Sequence, residues 1–207
     1  MKERGMIFNG EMVRAILDGR KTQTRRIMAP QPADDIERCI FPNPEAIGWK
    51  SSLRHKHGST TAHFCHYGKP GDRIWVREAF ASGLSTKSTL AYRATHKRED
   101  LEDGFYDTIK WTPSIHMPRW ASRILLEITN VRVERLNSIH DVDAMREGIQ
   151  NLTTCSHSDF GIPGVVNAQH PVRAFQLLWE SIYGADSWRA NPWVWVIEFK
   201  RVEGGAA

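Results

Sequence analysis

Between Arg123 and Leu136 the chain alternates: Ile124, Leu126, Ile128, Val131 and Val133 are spaced by two, with one irregular step, and most of their neighbours are polar. A period of two marks a strand with one buried face, so this stretch predicts one long bent strand or a strand pair. A second run, Trp193-Val194-Trp195-Val196-Ile197-Glu198-Phe199, is aromatic and β-branched, which suits a pleated surface. Its two tryptophans read as core and rim aromatics. The turn Pro70-Gly71-Asp72 launches a strand over Arg73–Glu78, and Ser88–Ala94 reads as another. Helical spacing appears in three places. Met12, Val13, Ile16 and Leu17 predict a helix over residues 10–18, stopped by Gly19. Ser138 and Asp141 form a capping box that opens a helix running through Glu147 to Gly148. Phe175, Leu178, Trp179 and Ile182 share one face of a helix over Val172–Tyr183, with Gly184 past its end. The fold class is therefore α+β: a small curled or barrel-like sheet with two or three flanking helices.

A chain of 207 residues fits one domain, 1–207, and 41% hydrophobic content with eight Trp and eight Phe supplies a core. Residues 28–68 read as a loop-rich insertion: they hold four of the ten prolines and the polar run from Ser51 to His63. Residues 95–121 and 150–170 also read as loops. No segment reaches the length of a membrane span. The charged N-terminus has no apolar run behind it, and Cys39, Cys65 and Cys155 are odd in number and far apart. A reducing cytoplasm is the expectation. His55, His57, His63, Cys65 and His66 cluster without a Cys-x2-Cys pair or a second ligand pair, so neither a metal nor a cofactor is expected.

The charge is local. Residues 1–27 carry seven Lys and Arg against three Asp and Glu, an excess of four that equals the excess of the whole chain. Most of it lies in Gly19-Arg20-Lys21-Thr22-Gln23-Thr24-Arg25-Arg26, four cations around two hydroxyls. Such a segment suits an anionic or polar partner, a nucleotide or RNA; a solvated basic turn is the plain alternative. In a strand Thr22, Thr24 and Arg26 share one face and Lys21 and Gln23 the other, so bringing Lys21 beside Thr24 needs a bend. His116, Arg119, Trp120 and Arg123 form a cation–aromatic stretch that can stack a base and hold a phosphate. A packed loop over the sheet, with the Trp in the core, is an equal alternative. Glu78 is a second-choice acid, with Arg77 its expected ion-pair partner.

Several pieces together resemble the ASCH family of PUA-like β-barrels. They are Leu17 through Thr24, the Lys69-Pro70-Gly71-Asp72 turn with its strand, Glu127-Ile128-Thr129 with the helix from Ser138 to Gly148, and Val196-Ile197-Glu198-Phe199-Lys200. With Ser114 through Arg123 and Asn191-Pro192-Trp193-Val194-Trp195, the pattern is similar to the longer ASCH proteins of phages and prophages. The resemblance implies a small PUA-like barrel. It also implies one of three functions: an amidohydrolase acting on N4-acetylcytidine, a non-catalytic RNA-binding module, or a ribonuclease. The partner it implies is a modified nucleoside or RNA. The amidohydrolase is described as using a Lys, a Thr and a Glu, which fall on Lys21, Thr24 and Glu147 without gaps; Arg20, Arg25 and Arg26 would flank them. Amide hydrolysis needs a nucleophile, a proton shuttle and an oxyanion stabiliser. Thr24 is the candidate nucleophile. Lys21 is either its base, if burial and neighbouring cations lower its pKa, or a cationic clamp. Glu147, at the last turn of its helix, faces the negative end of the helix dipole, a setting that suits a general acid or base.

Overall fold

A computed structural model of the chain describes residues 1–40, 47–51, 61–83, 89–96, 109–154 and 157–202. In chain order the elements begin with β1 (Glu3–Ile7), α1 (Gly10–Leu17) and β2 (Gln23–Ile27). Next come β3 (Glu37–Ile40), β4 (Ile47–Ser51), β5 (Thr61–His63), β6 (Arg73–Arg77), β7 (Phe80–Ser82) and β8 (Leu90–Tyr92). The remainder is β9 (Leu125–Arg135), α2 (Asp141–Arg146), β10 (Gln150–Asn151), β11 (Phe160–Ile162), β12 (Val166–Ala168), α3 (Pro171–Tyr183) and β13 (Trp193–Arg201). The fold is mixed α+β, with a five-stranded sheet in the order β1-β6-β9-β13-β2; β1 and β6 are parallel and the other pairs antiparallel.

The two sequence runs become the two central strands, and the structure explains their patterns. In β9 the residue opposite Glu198 is Asn130 and the one opposite Phe199 is Ile128, so Thr129 is an extra residue. This bulge resets the side-chain parity. Leu126 and Ile128 before it, and Val131 and Val133 after it, all reach the same core, which accounts for the irregular step in the alternation. The run in β13 is continuous because the strand is covered on both faces. Trp195, Ile197 and Phe199 pack with Val13, Ile16, Ile74 and Leu126 on one side. Val194 and Val196 pack with Ala144, Phe175, Leu178 and Trp179 on the other.

The backbone ladder does not close. Among the described residues no backbone pairing joins β1 to β2, so the sheet is not a closed barrel. A side chain spans the seam instead: Arg26 Nη2 donates to the Ile7 carbonyl at 2.8 Å, with its guanidinium 5.4 Å from the centre of the Phe8 ring.

Two stretches read as loops contain strands. Residues 28–68 hold the antiparallel sheet β3-β4-β5, anchored by Trp49 edge-on to Trp195 at 5.0 Å. Residues 150–170 hold β10-β11-β12, against which α3 packs. Strands of two to five residues are too short to show a period. Ser138 is not a cap: it ends a 3₁₀ turn over Leu136–Ser138, and α2 begins after His140. Two further short turns, Ser114–His116 and Arg119–Ala121, punctuate the stretch read as loop before β9. Most of the Ser51–His63 run, the start of the Ser88–Ala94 strand, His55, His57 and Cys155 lie outside the described residues.

Candidate active site

The site is built where α1 and α2 end and β2 begins. Gly19, with φ +75°, turns the chain out of α1. The backbone N–H groups of Arg20 and Lys21 both donate to the Ala15 carbonyl, and that of Thr22 donates to the Arg146 carbonyl. The basic segment is thus pinned between two helix ends before β2 starts. Glu147 is the C-cap of α2, followed by Gly148 at φ +109°. A β-carbon at Gly148 would meet Ala15 Cβ at 3.2 Å and Lys21 Cβ at 3.6 Å. Glycine is needed there for the turn and for the close approach of Lys21.

Lys21 and Glu147 meet inside the protein. Lys21 Nζ donates to Glu147 Oε2 at 2.8 Å and to the Glu147 carbonyl at 2.9 Å, and the two side chains are 0% and 3% exposed. Arg25 Nη1 donates to the other carboxylate oxygen, Oε1, at 3.1 Å. Arg25 Nη2 reaches Glu134 at 3.1 Å and Asp143 at 3.2 Å. Arg132 completes the network, bonding Glu134, Asp143 and Glu198. Burial lowers the Lys21 pKa; the Glu147 carboxylate opposes this, and Arg26 and Arg25 add to it.

Thr24 and Glu147 line a common cavity with Arg25, Arg26 and Met12, walled by Phe175, Leu178, Trp179, Ile182 and Tyr183 of α3. The cavity is small, about 20 Å³, room for one small group. Lys21 is not part of that lining, and its ammonium bonds go to Glu147 rather than to the Thr24 hydroxyl. The bend that brings the basic segment to α2 therefore couples Lys21 to Glu147 first, and Thr24 joins them through the cavity. This arrangement can polarise a carbonyl, present a hydroxyl and hold a proton at Glu147 or Lys21.

The other expected residues go elsewhere. Arg20 donates to the Gly148 carbonyl and pairs with Asp18, pinning the α2 end. Glu78 is buried and held at both oxygens by Arg123, at 2.9 and 3.0 Å, not by Arg77. Arg123 also stacks 4.0 Å from the Tyr92 ring centre, while Arg77 lies over Trp75 and donates to the Ile115 carbonyl. Glu78 lines a separate cavity with Gly10, Arg14 and Arg93. Arg119 pairs with Glu3 at 2.9 Å. His116 is exposed, and Trp120 is 68% exposed rather than in the core. The basic run does not form one continuous cationic face, because Arg25 is enclosed by carboxylates. Among the described residues no three His, Cys, Asp or Glu side chains converge as metal ligands. His63 shares a 2.9 Å hydrogen bond with Ser51, His66 stacks on Tyr67, and burial pushes the Cys65 thiol up to about 11.

Sequence reasoning missed the α3 wall, whose apolar face served only as core, and the Arg132–Glu134–Asp143 network. Two signals were present. Asp143 precedes Glu147 by four residues, one helical turn, and Arg132 and Glu134 share a strand face. No helix among the described residues is long and apolar enough to cross a membrane. Comparison of the chain with protein-family models, with curated proteins and with solved structures finds no match.

Proposed function

We propose that the chain is a hydrolase of the ASCH type that removes an acyl group from N4-acylated cytidine, its open sheet a variant of the PUA-like barrel. One observation carries this reading: Glu147, 126 positions away in sequence, bonds the Lys21 ammonium inside the protein and shares a cavity with Thr24. Acyl transfer to water needs this set of groups: a hydroxyl nucleophile, a carboxylate to move its proton, and a cation to hold the charge that develops on oxygen. In this reading the Thr24 hydroxyl attacks the acyl carbon, Glu147 passes its proton to N4 of the departing cytidine as the C–N bond breaks, and water then frees the acyl group from Thr24. Lys21 and Arg25 keep the Glu147 carboxylate in place; the small cavity takes the acyl group, and the exposed Ile182 and Tyr183 of α3 give the planar base an apolar edge outside it. The test is incubation of the pure protein with N4-acetylcytidine, measuring cytidine and acetate in equal amounts. Absence of both from a folded sample rejects the hydrolase.

A non-catalytic RNA-binding module is the second reading, favoured by Trp120. It stands 68% exposed next to Arg119, and an exposed tryptophan beside a cation is a stacking platform for a base. A binder needs no bond between Lys21 and Thr24, and the two make none.

A further inference from the structure

We propose that the ligand of the Thr24–Glu147 cavity carries a phosphate, held by Arg26 at the open seam between β1 and β2, so that a nucleotide rather than a free nucleoside is the species recognised. This rests on the nucleoside reading of the cavity and adds what that reading leaves open.

The cations around the cavity are unequal. Lys21, Arg25 and Arg132 face four carboxylates, Glu134, Asp143, Glu147 and Glu198, so their charge is compensated within the protein. Arg26 lines the same cavity, is partly exposed, and has no carboxylate partner among the described residues. Its Nη2 donates to the Ile7 carbonyl and its Nε is buried without a partner. The guanidinium lies over the Phe8 ring, 5.4 Å from its centre. A planar cation held this way, with donors unused, suits the oxygens of a phosphate.

The cavity wall points to the same chemistry. Trp179 is 3% exposed and its Nε1 has no partner, and Arg25 Nε is likewise unpartnered. The three orphan atoms on lining residues are all N–H donors, so the hydrogen bonding left unmet in this corner calls for acceptors. At the mouth, Ile182 and Tyr183 of α3 are 44% and 37% exposed, an apolar lip for a base. Tyr67 lies within electrostatic reach of both sides: burial raises its phenol, Arg26 opposes the rise and Tyr183 adds to it.

The test is binding, by calorimetry at low salt, of ligands that cannot be deacylated: cytidine, cytidine 5′-monophosphate and a trinucleotide with a central cytidine. The expected result is binding of the monophosphate at least about tenfold tighter than cytidine, a preference that shrinks as salt rises. Arg26→Gln, which keeps a donor for Ile7 but removes the charge, should erase the preference, costing the monophosphate far more affinity than cytidine. Arg26→Lys should keep part of it. The monophosphate binding alone makes the source a free nucleotide; the trinucleotide binding with the same dependence on Arg26 makes it RNA. Equal affinity for cytidine and its monophosphate, an equal loss of both in Arg26→Gln, or no binding of either overturns the proposal. Should Arg26→Gln fail to fold, inorganic phosphate decides in the parent protein. Displacement of the monophosphate but not of cytidine supports the proposal, and displacement of neither ends it. Failure to hydrolyse N4-acetylcytidine is a separate result, since no arm here depends on turnover.

Discussion

Glu147 and Glu78 are both buried, and cations hold both oxygens of each, yet the two corners differ in everything around that motif. At Glu147 the cations are themselves sealed, with Lys21 and Arg25 side chains at 0% exposure. At Glu78 the single partner, Arg123, is 25% exposed and stacked on Tyr92. The first corner opens onto a cavity that also holds a hydroxyl, Thr24; the second opens onto a cavity lined by arginines, Gly10 and alanines. A satisfied buried carboxylate is therefore no mark of a site by itself. What distinguishes Glu147 is a second reactive group within the same cavity and a cation that water does not reach.

The largest expected effect follows from the sealing. Lys21→Ala removes one partner of a buried pair and leaves Glu147 with Arg25 alone, and breaking such a pair costs roughly 3–5 kcal/mol. Arg123→Ala exposes Glu78 to water that can replace the lost donors, so its cost should be nearer 1.5–3 kcal/mol, the range for hydrogen bonds to a charged group. Urea unfolding of both variants gives the order. If Arg123→Ala proves the more destabilising, the distinction between a sealed and a vented carboxylate fails.

Turnover sharpens the same comparison. Thr24→Val keeps shape and volume and removes only the hydroxyl, which makes no hydrogen bond among the described residues. With N4-acetylcytidine as substrate it should lower the rate by on the order of 10³-fold or more, the scale for loss of a nucleophile, with little change in the unfolding midpoint. Thr24→Ser should retain part of the rate, and Glu78→Gln nearly all of it. Parent-like turnover by Thr24→Val would make water, activated by Glu147, the nucleophile.

These residues also show what could be read before folding. The long strands were legible because a two-residue period survives over many positions; the irregular step between Ile128 and Val131 was visible, and the structure assigns it to Thr129. The site was legible only in part. Sequence brought Lys21, Thr24 and Glu147 forward, but its rule for strand faces separated Lys21 from Thr24, and the structure couples Lys21 to Glu147 instead. A solvated basic turn was the plain alternative for the segment that holds Lys21. The complete burial of Lys21 reverses that, because the partner that makes burial possible lies far along the chain. Hidden altogether were facts that depend on long-range approach: that Arg123 rather than Arg77 holds Glu78, that Arg26 bridges the β1–β2 seam, and that the apolar face of α3 is a cavity wall.

The smallest effect separates the two corners by pH. Burial, with Arg26 and Arg25 adding to it, lowers the Lys21 pKa below the ordinary 10.5 even though Glu147 opposes the change. A lysine whose folded pKa lies below its unfolded value holds fewer protons folded than unfolded within that interval, so stability rises with pH there. Below the folded value the cost of burying the charge is felt in full, and above 10.5 it is gone; each unit of lowering is worth about 1.4 kcal/mol. Cys65 acts in the opposite sense. Its thiol, raised from 9.0 to about 11, keeps its proton in the folded state, and stability falls as pH climbs through that range. The measurement is therefore a difference. Unfolding free energies of the parent and of Lys21→Met, compared point by point from pH 7 to 10, cancel the Cys65 contribution and leave that of Lys21. The parent should gain on the variant as pH rises, while Arg123→Ala should track the parent's slope at a constant offset. A difference between the parent and Lys21→Met that stays flat over this range would mean that Glu147 outweighs burial, and that Lys21 is a fixed cationic clamp rather than a group able to give up its proton to the reaction.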